Sequence, residues 1–148
     1  MNETEVKFVK LNARARVPEY ATAGAAGADL RACLDAPVEI LPRGRALIPT
    51  GLAIAVPEGC AGLIYARSGL AYKSGVAMAN GVGVVDSDYT GEIKVALINT
   101  SDETFVVRDG DRVAQLVFSP VLRAAFSETE KLADTARAGG GFGSTGVK

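Results

Sequence analysis

Two aspartates and a tyrosine, Asp86, Asp88 and Tyr89, fall close together in the stretch Gly81-Val-Gly-Val-Val-Asp-Ser-Asp-Tyr-Thr-Gly91. A carboxylate in such a place can take a proton from water, provided the water is held within hydrogen-bond reach and aimed at its target. Asp and Ser side chains bond nearby backbone groups and Gly91 tolerates positive φ, so the segment from Asp86 to Gly91 is turn chemistry. Val82, Val84 and Val85 before it, and Ile93, Val95, Leu97 and Ile98 after it, read as half-buried strand. The pattern predicts a hairpin with the carboxylates and the ring at its mouth. Two aspartates also cap ordinary solvated turns, and the hairpin alone does not separate the two readings.

Other stretches carry groups suited to an anion. In Ala66-Arg-Ser-Gly-Leu-Ala-Tyr-Lys-Ser-Gly75, Ser68 is the expected cap of a short helix and Gly75 its end. The first-turn N–H groups, with Arg67 and Ser68 beside them, would make an anion site. Asn80-Gly81 is the strongest short hairpin signal in the chain; Asn80 is either that turn residue or an amide edge offered to a base. In the run from Arg112 to Phe118, strand alternation puts Val113, Gln115 and Val117 on one face and Ala114, Leu116 and Phe118 on the other. An amide among valines needs partners, from neighbouring backbone or from a ligand. Asp29 opens a strand, either capping a loop or facing a ligand. In the Gly-rich tail, Arg137, Ser144 and Thr145 offer a cation and two hydroxyls, and Phe142 is an aromatic with no core to join. That set suits a phosphate-clamping lid with a stacking ring; its bland counterpart is a mobile, functionless terminus.

Composition narrows the chemistry. The chain has no histidine and two cysteines, Cys33 and Cys60, outside any Cys-x-x-Cys spacing. Histidine triads and zinc fingers are excluded, which leaves carboxylates, Ser, Tyr, Arg, Lys and a hard metal ion. The thiols read as buried small hydrophobes. With 16 basic and 17 acidic residues, net −1, there is no bulk attraction to nucleic acid or an anionic membrane, so any anion must be gripped locally. The polar start is unlike a signal peptide, and no run nears the ~20 apolar residues of a membrane span. A soluble, cytoplasmic protein is expected.

The elements that must position these residues are strands. The 148 residues fit one domain, 1–148, with a β core over 1–126 and an arm and lid over 127–148. Glu5–Leu11 alternates as a first strand with one wet face, and 18–27 is too small and Gly-rich to be more than a surface loop. Strands follow over Ala28–Leu34, Pro37–Ile40, the apolar run 46–57, Cys60–Ala66, Val76–Ala79, Glu92–Thr100, with Thr104–Arg108 as its partner across a turn, and Arg112–Phe118. Pro49 marks an edge or a bulge. Turns recurring at roughly 8 to 12 residues predict an all-β, jelly-roll-like sandwich with one short helix and a mobile C-terminal tail.

The order of these pieces resembles the five motifs of the trimeric deoxyuridine triphosphate nucleotidohydrolases, the dUTPases. The matching stretches are Ala26 to Leu30, Ala66 to Gly75, Asn80 to Val95, Gly110 to Gln115 and Arg137 to Gly146, which span nearly the whole chain. The resemblance implies a jelly-roll subunit in a homotrimer, with three sites each assembled from three chains. It implies hydrolysis of dUTP to dUMP and pyrophosphate by magnesium-assisted water attack on the α-phosphate, which keeps uracil out of DNA and supplies dUMP for thymidylate synthesis. On this basis Asp86 orients the water and meets the sugar 3'-hydroxyl, and Tyr89 packs under the deoxyribose and excludes a 2'-hydroxyl. Asn80 and nearby strand backbone at Gly83 and Val85 read uracil. Arg67, Ser68, Gly69 and Gln115 hold the triphosphate, with Lys94 also in the substrate-binding set. Asp29 engages the water shell of Mg2+, whose main ligands are the substrate phosphates. Arg137, Ser144 and Thr145 clamp the terminal phosphate beside Gly143, and Phe142 covers the base.

Ala138 stands where the family often has Gly, Ala66 where Pro is common, and Thr90 where Arg is frequent; none removes a chemical group from the site. A deoxycytidine triphosphate deaminase, which resembles these enzymes in fold, would need a further glutamate in the base pocket, and none stands beside Asn80 or Ser68. A silent nucleotide-sensing or protein-interaction module would be marked by loss of Asp86 or of the tail, and both are present.

Overall fold

A computed structural model describes residues 4–141 as eleven strands and one short helix. In chain order these are β1 (Phe8–Lys10), β2 (Glu19–Tyr20), β3 (Ala28–Arg31), β4 (Val38–Ile40), β5 (Arg45–Ile54) and β6 (Cys60–Tyr65). After them come α1 (Ser68–Ser74), β7 (Val76–Met78), β8 (Gly83–Val85), β9 (Glu92–Asn99), β10 (Phe105–Val107) and β11 (Arg112–Pro120). A four-stranded sheet runs β1-β5-β9-β7, a five-stranded sheet runs β2-β3-β11-β6-β8, and β10 pairs with β4. All pairings are antiparallel.

Apolar residues at alternate positions turn one face of each sheet inward, as period-two side-chain geometry requires. Ile48, Leu52, Ile93, Val95 and Leu97 from the first sheet join Leu30, Ile64, Ala114 and Leu116 from the second and Ile40 and Val107 from the small one in a single buried cluster. Burying a side chain of this size contributes about 1.5–3 kcal/mol, so this shared core holds the sandwich together. The fold is the expected all-β, jelly-roll-like sandwich. No helix among the described residues is long and apolar enough to cross a membrane.

Several local expectations need correcting. The Asn80-Gly81 turn does not close a hairpin: β7 pairs with β9 in one sheet and β8 with β6 in the other. Gly81 still takes a positive φ of 73°, and its N–H donates to the Met78 carbonyl at 3.2 Å. The stretch 86–91 likewise carries the chain from β8 to β9 between sheets, so Asp86 and Tyr89 sit on a crossover rather than at a hairpin mouth. β10 partners β4, not β9, because Asn99, wholly buried, donates from Nδ2 to the carbonyls of Ile40 (2.8 Å) and Glu103 (2.7 Å) and draws the two segments together. β5 lies between β1 and β9, so Pro49 is not on an edge; it begins the register shift between Pro49 and Ala53. The segment 18–27 contains β2, which extends β3. β1 has no covered face in the single chain, with Phe8 and Val9 both exposed.

Cys33 is buried, and burial, then the Asp109 carboxylate, raises its thiol above the ordinary range. Cys60 is half-buried, and both are free thiols.

Candidate active site

One row across the five-stranded sheet gathers three of the sequence segments singled out for chemistry. The register places Glu19 opposite Asp29, Asp29 opposite Gln115 and Gln115 opposite Tyr65. Two residues past Tyr65, Arg67 caps the start of α1. Asp29 is only 4% exposed, and a buried carboxylate needs charged or hydrogen-bonding partners. It has three. Arg67 Nε stands 3.2 Å from Oδ1, Arg112 Nη1 donates to Oδ2 at 3.1 Å, and Gln115 Nε2 approaches Oδ1 at 3.5 Å. The Arg67 contact is a charge contact whose N–H direction misses the oxygen, so Arg67 is held by attraction more than by an aligned hydrogen bond. Its Nη1 also reaches the Arg112 carbonyl at 3.3 Å.

Arg112 is the residue the sequence reading missed. Plain alternation puts it on the face opposite Gln115. A register shift between Arg112 and Ala114 makes Val113 an extra residue, and Val113 and Ala114 are both buried. Such a bulge resets the period. Arg112 now pairs with Arg31 and Gln115 with Asp29, two positions along β3, so the arginine and the amide share a face. Val113 therefore does not share a face with Gln115 as expected. The sequence signal that could have found it was its place inside the Gly110 to Gln115 stretch, one of those that carry the resemblance.

α1 differs from expectation at its start and agrees at its end. Arg67, not Ser68, is the cap residue, with extended backbone (φ −85°, ψ 128°) and no side-chain bond to the first turn; Ser68 is the first helical residue. Its opening N–H groups are thus left for another acceptor. Ser68 and Gly69 are exposed, and a Cβ on Gly69 would meet nothing within 4 Å, so the space in front of this turn is open. Gly75 closes the helix in the left-handed region (φ 65°) as expected.

The second group lies around β8. β8 is an edge strand, so one set of its backbone N–H and C=O groups is unpaired in the sheet. Gly83 and Val85 lie on it, opposite Ile64 and Gly62. Asn80 is exposed just before it, where the chain leaves β7, whose pairing with β9 ends in an Ala79 N–H bond to the Ala96 carbonyl. Asp86 follows it, exposed, and its carbonyl accepts the Tyr89 N–H at 3.2 Å. The Tyr89 hydroxyl donates to the Glu92 carbonyl at 2.9 Å. Gly91 lies outside the left-handed region, contrary to the expected role. Lys94 on β9 is exposed and pairs with Glu92 at 3.5 Å.

The two groups do not meet within one chain. Ile64 faces Gly83 in the antiparallel pair; Arg67 lies three residues beyond it in one direction and Asp86 three in the other. At ~3.3 Å per residue that is on the order of 20 Å. Two surface grooves, of about 460 and 180 Å³, include none of the expected site residues; Thr90 lines the smaller, with Phe8 and Val9. Arg137 is exposed, with Nε donating to the Gly140 carbonyl at 2.8 Å, and Ala138 takes a positive φ of 43°, a conformation easier for the glycine common there. Phe142, Gly143, Ser144 and Thr145 lie outside the described residues.

Comparison with known proteins gives a consistent picture. A sequence model of the family described as dUTPase matches residues 13–146. The chain is 54% identical over 150 residues to a deoxyuridine 5'-triphosphate nucleotidohydrolase of Desulfitobacterium hafniense, covering 99% of each chain. It is 51% identical over 141 residues to that of Chlamydia pneumoniae, covering 95% of this chain and 97% of the other. Among solved structures, the Staphylococcus bacteriophage 80alpha dUTPase with dUpNHpp superposes with a TM-score of 0.88 at 25% identity, covering 98% of this chain and 100% of that one.

Proposed function

The chain belongs to the dUTPase family, and from that premise we propose that it is a dUTP diphosphatase whose sites are shared between the chains of a homotrimer. It hydrolyses dUTP to dUMP and pyrophosphate, keeping uracil out of DNA and supplying dUMP for thymidylate synthesis. The observation that carries the phosphate end of this reading is the convergence of Arg67, Arg112 and Gln115 on buried Asp29, beside the open first turn of α1. Guanidinium groups suit phosphate oxygens, and uncapped helix N–H groups add donors.

Asp86 accepts a proton from water as the water oxygen bonds to the α-phosphorus. The bond from that phosphorus to the bridging oxygen then breaks, and pyrophosphate leaves with the electron pair. Arg67, Ser68, Gly69, Gln115 and Lys94 hold the nucleotide, and Asn80 with the free backbone edge at Gly83 and Val85 reads uracil. Tyr89 packs under the sugar. From the tail, Arg137, Ser144 and Thr145 clamp the terminal phosphate beside Gly143, and Phe142 covers the base.

The residues present suit magnesium carried by substrate. Among the described residues no group of three or more acidic or thiol side chains clusters as a cage, and magnesium commonly keeps its waters and binds phosphates. A carboxylate has about four acceptor positions. The three contacts to Asp29 leave it able to reach the ion's water shell. When bound, the ion neutralises charge developing on the phosphates.

The separation of Asp86 from Arg67 within one chain supports sites built from several chains, since a nucleotide must meet both. Two free thiols suit the reducing cytoplasm. Asp86→Asn is expected to lower kcat by roughly 10²–10⁴-fold with dUTP affinity retained, measured by product analysis and calorimetric titration. An equal loss of affinity would remove Asp86 from the role of base. In parallel assays with dUTP, dCTP, dTTP and UTP, pyrophosphate is expected from dUTP; ammonia from dCTP would instead mark a deaminase.

A further inference from the structure

Gly91 has a steric reason to be glycine that its backbone does not explain. Its φ is not left-handed, so alanine would carry no conformational penalty there. A Cβ at this position, however, would stand 2.6 Å from Tyr89 Oη, 2.7 Å from Cζ and 3.1 Å from Cε2. The phenol thus lies directly across the face of Gly91. Its hydroxyl is tied beyond that face to the Glu92 carbonyl at 2.9 Å. Glu92 is itself anchored: Oε1 accepts the Gly51 N–H at 2.9 Å. Gly51 sits inside the β5 register shift with φ 68°, where a Cβ would lie 2.9 Å from the Ala15 Cβ and 3.0 Å from Cys33 Sγ. Tyr89 is 45% exposed, so this seat is a large share of what fixes its tilt.

We propose that Gly91 and the Glu92 carbonyl form a seat for the Tyr89 ring, and that the seat, not the ring alone, sets discrimination against ribonucleotides. The proposal rests on the reading of Tyr89 as the residue beneath the sugar. Rejecting one extra hydroxyl by contact depends on a wall that cannot yield, because a ring free to swing admits the larger sugar. Gly91 and Glu92 are positioning residues in this scheme; they act through Tyr89.

The test compares kcat/KM for dUTP and UTP in the full-length protein carrying Gly91→Ala, Tyr89→Phe, Tyr89→Ala and the double substitution Gly91→Ala/Tyr89→Ala, with thermal melts as a check on folding. Gly91→Ala is expected to lower the dUTP/UTP ratio at least about tenfold, because the ring must leave its place. Tyr89→Phe keeps the ring but loses the bond to Glu92, and is expected to lower the ratio less, in the same direction; it also reads the seat should Gly91→Ala fail to fold. On the Tyr89→Ala background, Gly91→Ala should change the ratio no further. A ratio within twofold of wild type for Gly91→Ala and Tyr89→Phe, while Tyr89→Ala collapses it, overturns the seat and leaves the sugar reading intact. A wild-type ratio in Tyr89→Ala overturns both. A further fall in the double variant would show that Gly91 acts by another route, and the proposal fails.

Discussion

Asp29 has two demands on it, and their sizes decide what its loss would do. Its carboxylate is 4% exposed, with guanidinium groups on both oxygens. Removing one member of a wholly buried ion pair costs about 3–5 kcal/mol. Here the arginine side chains are 24% and 43% exposed, so water compensates part of that. Asp29→Asn, close in shape, is therefore expected to cost about 2 kcal/mol, read as a lower urea midpoint with unchanged m-value. Arg67 and Arg112 lose their common anchor, so KM for dUTP should rise more than kcat falls. An unchanged midpoint would mean that the carboxylate is not what holds the arginines. That Asp29 stands near a strand start was legible in its position. That it is a buried counter-ion was not, because its partners come from residues 38 and 83 positions away along the chain.

The elements show where pattern reading succeeds and where it stops. Strand positions followed from alternation and turn residues, and α1 from Gly75, because those signals are local. Which strands pair is not local. Asn80-Gly81 carries hairpin chemistry, yet β7 and β8 belong to different sheets, paired with β9 and β6. The β11 bulge was equally hidden: Val113 is apolar like Ala114 after it, and one extra residue in a strand leaves no mark on composition. Its consequence is testable. Deleting Val113 takes out the extra residue and leaves Arg112 two positions before Gln115, so plain alternation keeps both on the face of Asp29. The expected result is a folded sandwich, judged by far-ultraviolet circular dichroism, with kcat/KM for dUTP within about tenfold of wild type, because the grip keeps its place. A loss of about two orders of magnitude or more in a folded deletion variant would show that the shared face alone does not place the grip.

For the whole molecule, the decisive fact is the distance between the chemical groups. Arg67, Arg112, Gln115 and Asp29 lie at one end of the β6–β8 pair, and Asp86 lies past the other. If one chain's Asp86 serves a triphosphate gripped by another chain's arginines, two inactive variants must rescue each other. Asp86→Asn supplies a sound grip and Arg67→Ala a sound base. Unfolded together in equal amounts and refolded, they form random trimers, and each trimer holding both variants contains one junction with both groups intact. About a quarter of wild-type activity is then expected from the mixture, with neither variant active when refolded alone. The same variants mixed without unfolding should stay inactive as long as chains do not exchange, which separates assembly from simple addition. Activity that never rises above the sum of the two refolded parents would mean that each chain completes its own site, and the separation seen here would have to close within a single subunit.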